Sequence, residues 1–168
     1  MPHLDAAYNL ARWLLRSEHD ARDVVQEAYL RALRFIDGYR GGDGRAWLLA
    51  IVRNCAFTWL KRQSGSLERP LGESEGGKPT ELGADPDALD PETIAIEKAD
   101  RELWNRAIAA LPIDFRVVLI LRELEDLSYK QIAEITDTPI GTVMSRLSRA
   151  RKQLGQIVAA EIAKGVSQ

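Results

Sequence analysis

The sequence predicts an all-α protein of two small helical domains joined by an acidic flexible linker, and three observations predict it. Apolar residues recur at steps of three and four on both sides of the chain's middle. No strongly alternating run of strand length occurs. The stretch from Ser64 to Pro91, "SGSLERPLGESEGGKPTELGADPDALDP", is rich in Gly, Pro, Ser and acid and offers only scattered leucines, too few for a core. The boundaries that follow are a first domain over 1–63, a linker over 64–92 and a second domain over 93–168.

In the first domain, Leu10 and Leu14 start a stripe at i,i+4 within Leu4 to Leu15. Val25, Tyr29, Ala32 and Ile36 continue the pattern through Ala21 to Ile36. Leu48, Ile51, Val52, Cys55 and Trp59 carry it through Arg45 to Leu60. Between the last two stretches lies "DGYRGGDGR", Asp37 to Arg45, whose glycines and aspartates predict a loop. A small antiparallel bundle is the expected packing.

The second domain starts near Thr93 with one long helix, broken at Leu111-Pro112. "DFRVVLILRELED" predicts a second helix, with Phe115, Val118, Leu119 and Leu121 to Leu124 as core. Ser128 and Gln131 have the spacing of a capping box, with Leu127 and Ile132 placed as a hydrophobic staple across it. "TDT" interrupts, and Thr138-Pro139 reads as a cap followed by proline at the first helical position. Two short helices across a turn of about three residues predict a helix-turn-helix.

In the final helix Ile140, Val143, Leu147, Ala150 and Leu154 face the core. The opposite face holds Thr142, Ser145, Arg146, Arg149 and Lys152. From Pro139 to Lys152 there are four basic residues and no acid. Small hydroxylated residues near a helix N-terminus let it approach DNA closely, and arginines a turn further on reach guanine edges or phosphates. A solvated basic helix end is the alternative reading of the same face; the capped helix and short turn before it favour DNA.

Composition bounds the rest. With 168 residues, 45% of them apolar and 29% charged, the chain is globular. Its net charge of -2 conceals an uneven division: ten Lys/Arg against seven Asp/Glu in 1–63, two against eight in 64–92, and eleven against ten in 93–168. An acidic middle therefore masks two ends that are neutral to basic. The single cysteine, Cys55, precludes an internal disulfide, and no signal peptide or bilayer-length apolar run is present. These features predict a cytoplasmic protein without membrane insertion.

"LPIDFRVVLILRELEDLSYKQIAEITDTPIGTVMSRLSRARKQL" closely resembles region 4 of the extracytoplasmic-function sigma factors, the small members of the bacterial sigma-70 family. Leu14 to Gln63 similarly resembles their region 2, and the two stretches stand in the family's order. The resemblance implies that the first domain docks on core RNA polymerase and opens the promoter, while the second reads the minus-35 element through Thr142, Ser145, Arg146, Arg149 and Lys152. It implies that Asp20, Asp23, Gln26 and Glu27 contact the polymerase clamp. It gives Arg45, Trp47, Arg53, Asn54, Lys61 and Arg62 to the minus-10 element, in duplex or melted DNA; Trp47 is either core or a strand-separating platform. It further implies a linker that threads toward the polymerase active centre, an anti-sigma partner, and no cofactor, metal or small-molecule substrate. The family usually carries more helix before the point where this chain starts, and Met1-Pro2-His3-Leu4 reads as entry into a helix already under way. A late-assigned start or a short first helix accounts for it.

Other classes fare worse. His3 and His19 have no metal-site spacing, Cys55 lies in an apolar stripe, and no phosphate-binding glycine fingerprint occurs. A conventional helix-turn-helix regulator is the closer rival, but it needs a receiver or ligand domain in the first half, where the sequence shows neither strands nor a pocket. A structural adaptor without DNA affinity is a distant third.

Overall fold

The computed structural model describes residues 3–65 and 90–166, and every regular element among them is helical. The first half contains α1 (Leu4–Leu15), α2 (Glu18–Arg34) and α3 (Gly44–Gly65), with a 3₁₀ turn at Ile36–Gly38. The second contains α4 (Pro91–Ala109), α5 (Ile113–Leu119), a π-helical turn (Ile120–Leu124), α6 (Tyr129–Thr136) and α7 (Ile140–Val166). Nearly all of the expected linker lies outside the described residues.

In the first half, α1 closes at Arg16, which takes a left-handed conformation (φ 59°) and donates its N–H to the Arg12 carbonyl at 2.8 Å. Ser17 starts α2 at once, its hydroxyl accepting from the Asp20 N–H at 3.3 Å. The three helices pack on one another through Leu10, Leu14, Val24, Leu49 and Val52. Ala7, Ala11, Ala21, Ala28 and Ala56 are fully buried between them, and such small side chains permit close packing of helices. Before α3 the chain reverses through Gly41 (φ 84°) and Gly42 (φ 106°), a backbone that side chains disfavour. The Tyr39 hydroxyl holds this loop by donating to the Gly42 carbonyl at 2.6 Å.

In the second half the capping box is complete: the Gln131 N–H donates to Ser128 Oγ at 3.1 Å, and the Ser128 N–H donates to Gln131 Oε1 at 2.8 Å. Leu127 and Ile132 are both buried, as a staple requires. Asp137, left-handed at φ 52°, turns the chain from α6 into α7.

The two halves lie face to face. Helix α1 packs on α5 and α3 on α6, and one continuous buried cluster runs from Ala6 to Leu147. Arg116, buried in α5, donates to carbonyls of both halves: Trp13 and Leu14 at the end of α1, Ala109 and Leu111 at the end of α4.

Several expectations are corrected. Ile36 is exposed rather than core, because α2 ends at Arg34 and the 3₁₀ turn rotates the next residues outward. Leu124 is also exposed, and Arg122 and Glu123 are not core either: the wider π turn changes the facing of the run after Leu121. Ile140 is exposed at the first turn of α7. Pro139, not Thr138, caps α7; the Pro139 carbonyl accepts from Val143, while the Thr138 hydroxyl bonds that of Thr136 at 2.8 Å. Trp59 is only half-buried.

Candidate nucleic-acid interface

Helix α7 buries Val143, Leu147 and Ala150 and thereby turns Ser145, Arg149 and Lys152 outward. Thr142 and Arg146 flank that face and are half-buried. Ser145 donates its hydroxyl back to the Thr142 carbonyl at 3.1 Å. Arg151, on the other flank, is committed elsewhere: its Nη2 and Nε donate to Glu123 Oε1 at 2.6 and 2.9 Å, which raises its already high pKa. The five residues read from the sequence thus share one face and its edge, and the fourth basic residue is a strut. Met144, missed by the sequence reading, is half-exposed beside them.

The loop and α3 supply a second cationic surface. Asp43 caps α3, its Oδ1 accepting from the N–H groups of Arg45 (3.0 Å) and Ala46 (3.2 Å). The bond from Ala46 is the main reason its carboxyl lies below the usual range. Trp47 is half-buried and stacks on Tyr39 with ring centroids 5.0 Å apart. Arg53 lies with its guanidinium 4.2 Å from the Phe57 ring centre and Nη1 on Asn54 Oδ1 at 3.2 Å. Burial pushes the Arg53 pKa down; Asp114 opposes this and Arg146 adds to it. Arg53 of the first half thus lies within electrostatic reach of Asp114, Arg146 and Asp137 of the second. Arg45 is turned the same way, donating from Nη2 to the buried Glu125 carboxylate at 2.5 Å. Asn54, Lys61 and Arg62 are exposed.

A third feature is a groove of about 260 Å³ between α2 and α3, lined by Asp23, Glu27, Arg31, Trp59 and Arg62 with Cys55 beneath. Burial raises the Cys55 thiol, which suits an inert side chain. Glu27 accepts from Arg31 Nε at 2.8 Å, and this bond lowers its pKa. Asp20 and Asp23 lie with His19 in the first turns of α2, their ligand atoms within 4.8 Å, where acids suit the helix dipole. Gln26 is exposed on the same side. Arg62 is thus grouped with Asp23 and Glu27, not with Arg53. The sequence reading also missed Leu30, Leu33 and Phe35, which are exposed at the end of α2; their place off the buried stripe was the available signal.

The sequence matches the description "Sigma-70 region 2" over residues 1–65 and "Sigma-70, region 4" over residues 101–154. It is 38% identical over 140 residues to the ECF RNA polymerase sigma-E factor of Escherichia coli (strain K12), an alignment spanning 80% of this chain and 72% of that one. The chain belongs to the extracytoplasmic-function sigma factors of the sigma-70 family. This sigma factor is also 32% identical over 157 residues to the ECF RNA polymerase sigma factor SigE of Mycolicibacterium smegmatis, spanning 94% of this chain and 59% of the relative. Among solved structures it resembles the sigma factor RpoE in complex with the anti-sigma factor NepR from Bartonella quintana. That likeness has a TM-score of 0.74 and 27% identity and covers 94% of this chain and 92% of the other. The fold is shared as well with CnrH in complex with the cytosolic domain of CnrY, at a TM-score of 0.65 and 21% identity.

Proposed function

We propose that this sigma factor directs core RNA polymerase to promoters through three surfaces: α7 for the minus-35 element, the loop and α3 for the minus-10 element, and α2 for the polymerase clamp. The observation that carries the reading is the outward face of α7, where Ser145, Arg149 and Lys152 stand opposite a wholly apolar seam, behind a helix fixed by a complete capping box. A recognition helix needs that division.

On α2, Asp23, Gln26 and Glu27 share an outward face with Leu30 and Leu33, one and two turns on. An acid-and-amide rim around exposed leucines suits a protein partner with a basic, partly apolar surface. The Tyr39–Trp47 pair, backed by the glycine loop, offers aromatic surface to an unstacked base. Lys61 and Arg62 add phosphate contacts. The phosphodiester chemistry belongs to polymerase, so the chain itself is not an enzyme, and it acts in the cytoplasm.

By likeness to the solved RpoE–NepR complex, an anti-sigma protein is a further partner. Among the described residues, no helix is long and apolar enough to cross a membrane.

The test is retention of bacterial core polymerase by the purified protein, followed by transcription from a promoter library. Promoter-selective initiation is expected. Duplex binding without retention of core would instead mark a conventional regulator.

A further inference from the structure

We propose that Met144 reads the C5-methyl group of a thymine in the minus-35 element, setting a base preference that the hydroxyl and cationic side chains of α7 do not supply. This deepens the assignment above of α7 to that element and rests on it.

The major groove is about 12 Å wide and a helix with its side chains about 10–12 Å across, so an inserted helix meets base edges on both flanks as well as beneath. In α7 the helical period puts Thr142 and Arg146 on one flank and Ile140, Met144 and Arg151 on the other, with Ser145 and Arg149 between them.

The two flanks differ in chemistry. The first carries a hydroxyl and a guanidinium. On the second, Arg151 is bound to Glu123 at 2.6 and 2.9 Å, which largely neutralises it. What that flank presents outward is apolar: Ile140 is 45% and Met144 51% exposed, and Met144 belongs to neither buried cluster. Its place beside Ser145, continuous with the reading face, separates this strip from ordinary exposed apolar surface.

Gly141 points the same way. It is exposed in the first turn of α7, and a Cβ there would meet nothing within 4 Å. The fold therefore does not call for glycine, which weakens a helix relative to alanine. A bare first turn lets α7 sink into a groove and brings Met144, three positions on, to the base edges.

Among the groups that base pairs show in the major groove, the thymine methyl is the apolar one; the rest are hydrogen-bond donors and acceptors. A thioether set on those would strip them of water and return at most a weak bond. Set on the methyl, it removes apolar surface from water on both sides. Methionine is also unbranched and flexible enough to follow a methyl group along the groove floor.

Uracil lacks only the methyl group of thymine, so uracil scanning tests this. The probe is the minus-35 duplex selected from the promoter library by the full chain bound to core polymerase, with each thymine replaced in turn by uracil. Affinities are read by competition, and circular dichroism confirms that the variants are folded. At one thymine, uracil is expected to weaken wild-type binding about fourfold, the worth of one buried methyl group. Met144→Gln, of similar length but polar, is expected to bind the thymine and uracil duplexes equally at that position, and Met144→Leu to keep most of the discrimination. A merely structural effect would lower both affinities together and leave their ratio unmoved. Methyl reading is overturned if no thymine of the element responds to uracil, if Met144→Gln keeps the wild-type ratio, or if Met144→Leu loses it as fully as Met144→Gln. Failure of the sigma reading registers separately, as wild type retaining no core polymerase. The scan is then made on the duplex that the full chain selects alone, with the same outcomes, and selection of no duplex overturns both.

Discussion

Arg116 Nη1 donates to the carbonyl of Trp13 at 3.2 Å, tying the start of α5 to the end of α1 across 103 positions of sequence. The same guanidinium reaches Leu14 at 3.4 Å and Ala109 and Leu111 at 2.9 Å each. Helix ends leave carbonyls without intrahelical donors and concentrate negative dipole there. One buried cation therefore terminates two helices, one from each half. Its planar fork suits four divergent acceptors in a way that an ammonium cannot.

Arg116→Lys is accordingly expected to destabilise the protein, and Arg116→Met more so, because Met fills the space but leaves the carbonyls unsatisfied. A loss of about 2–4 kcal/mol for Arg116→Met matches the loss of charge-assisted bonds to buried acceptors. Urea denaturation followed by circular dichroism measures it. A loss below about 0.5 kcal/mol, the range of ordinary surface changes, would show that water replaces the guanidinium without penalty.

Ser128→Ala removes the acceptor for the Gln131 N–H at the start of α6. The expected cost is about 1 kcal/mol. Since α6 positions the turn into α7, duplex affinity should fall with it, and Ser128→Asp, which retains an acceptor, should recover most of both. Melting curves and fluorescence anisotropy on the three proteins would separate a cap from a mere surface hydroxyl.

Much of this was legible in the sequence. The stripes of α1, α2 and α3, the capping box of α6 and the outward face of α7 follow from local spacing, because one helix decides which of its own residues point inward. What spacing could not carry is how the halves meet. Glu125 reads as one more acid in "LRELED", and its burial with the Arg45 guanidinium of the other half, eighty positions away, shows only in the folded chain. Arg116 likewise stands outside the apolar spacing of its helix, and its burial shows only in the folded chain. Leu124 and Ile140 failed at the π turn and at the helix start, where the 3.6-residue period does not hold.

Two cations of α7 should behave differently. Arg146 lies in the second turn, nearer the end proposed to enter a groove, whereas Lys152 lies almost two turns further along. Arg146→Ala is expected to cost about 1–3 kcal/mol at one base position and relax discrimination there. Lys152→Ala should weaken all sequences alike and reduce the salt slope by about one. Competition assays with single-base variants of the minus-35 element, repeated at several salt concentrations, distinguish the two. Uniform weakening by Arg146→Ala would assign it to phosphate.

Asp43 links the start of α3 to pH. Its carboxyl is held below the usual range chiefly by the Ala46 N–H, with Gln131 and the Arg45 N–H contributing. A depressed pKa in the folded state means that this cap stabilises above the ordinary Asp range and is lost as pH falls through the lowered value. Amides at the start of α3 should therefore lose protection only on the acid side of the normal Asp transition. A carboxyl-carbon NMR titration of Asp43 checks the order. Titration at or above the ordinary value would remove the cap from the account.

The docking face proposed for α2 yields the prediction that most directly separates stability from function. Leu30 is 46% exposed and lies one turn beyond Gln26 and Glu27 on the same side. In the free protein it contributes little to the core, so Leu30→Asp should change stability by no more than about 0.5 kcal/mol. At an interface the same change places a carboxylate where apolar surface is buried, and a loss of 1.4 kcal/mol or more corresponds to about tenfold in affinity. Core-polymerase binding should fall at least that far while duplex binding through α7 stays at the wild-type level. Glu27→Gln, at the rim, should act mainly on the association rate and its salt dependence. Unchanged core binding in Leu30→Asp would move the docking surface off this face of α2, toward the groove that holds Trp59 and Arg62.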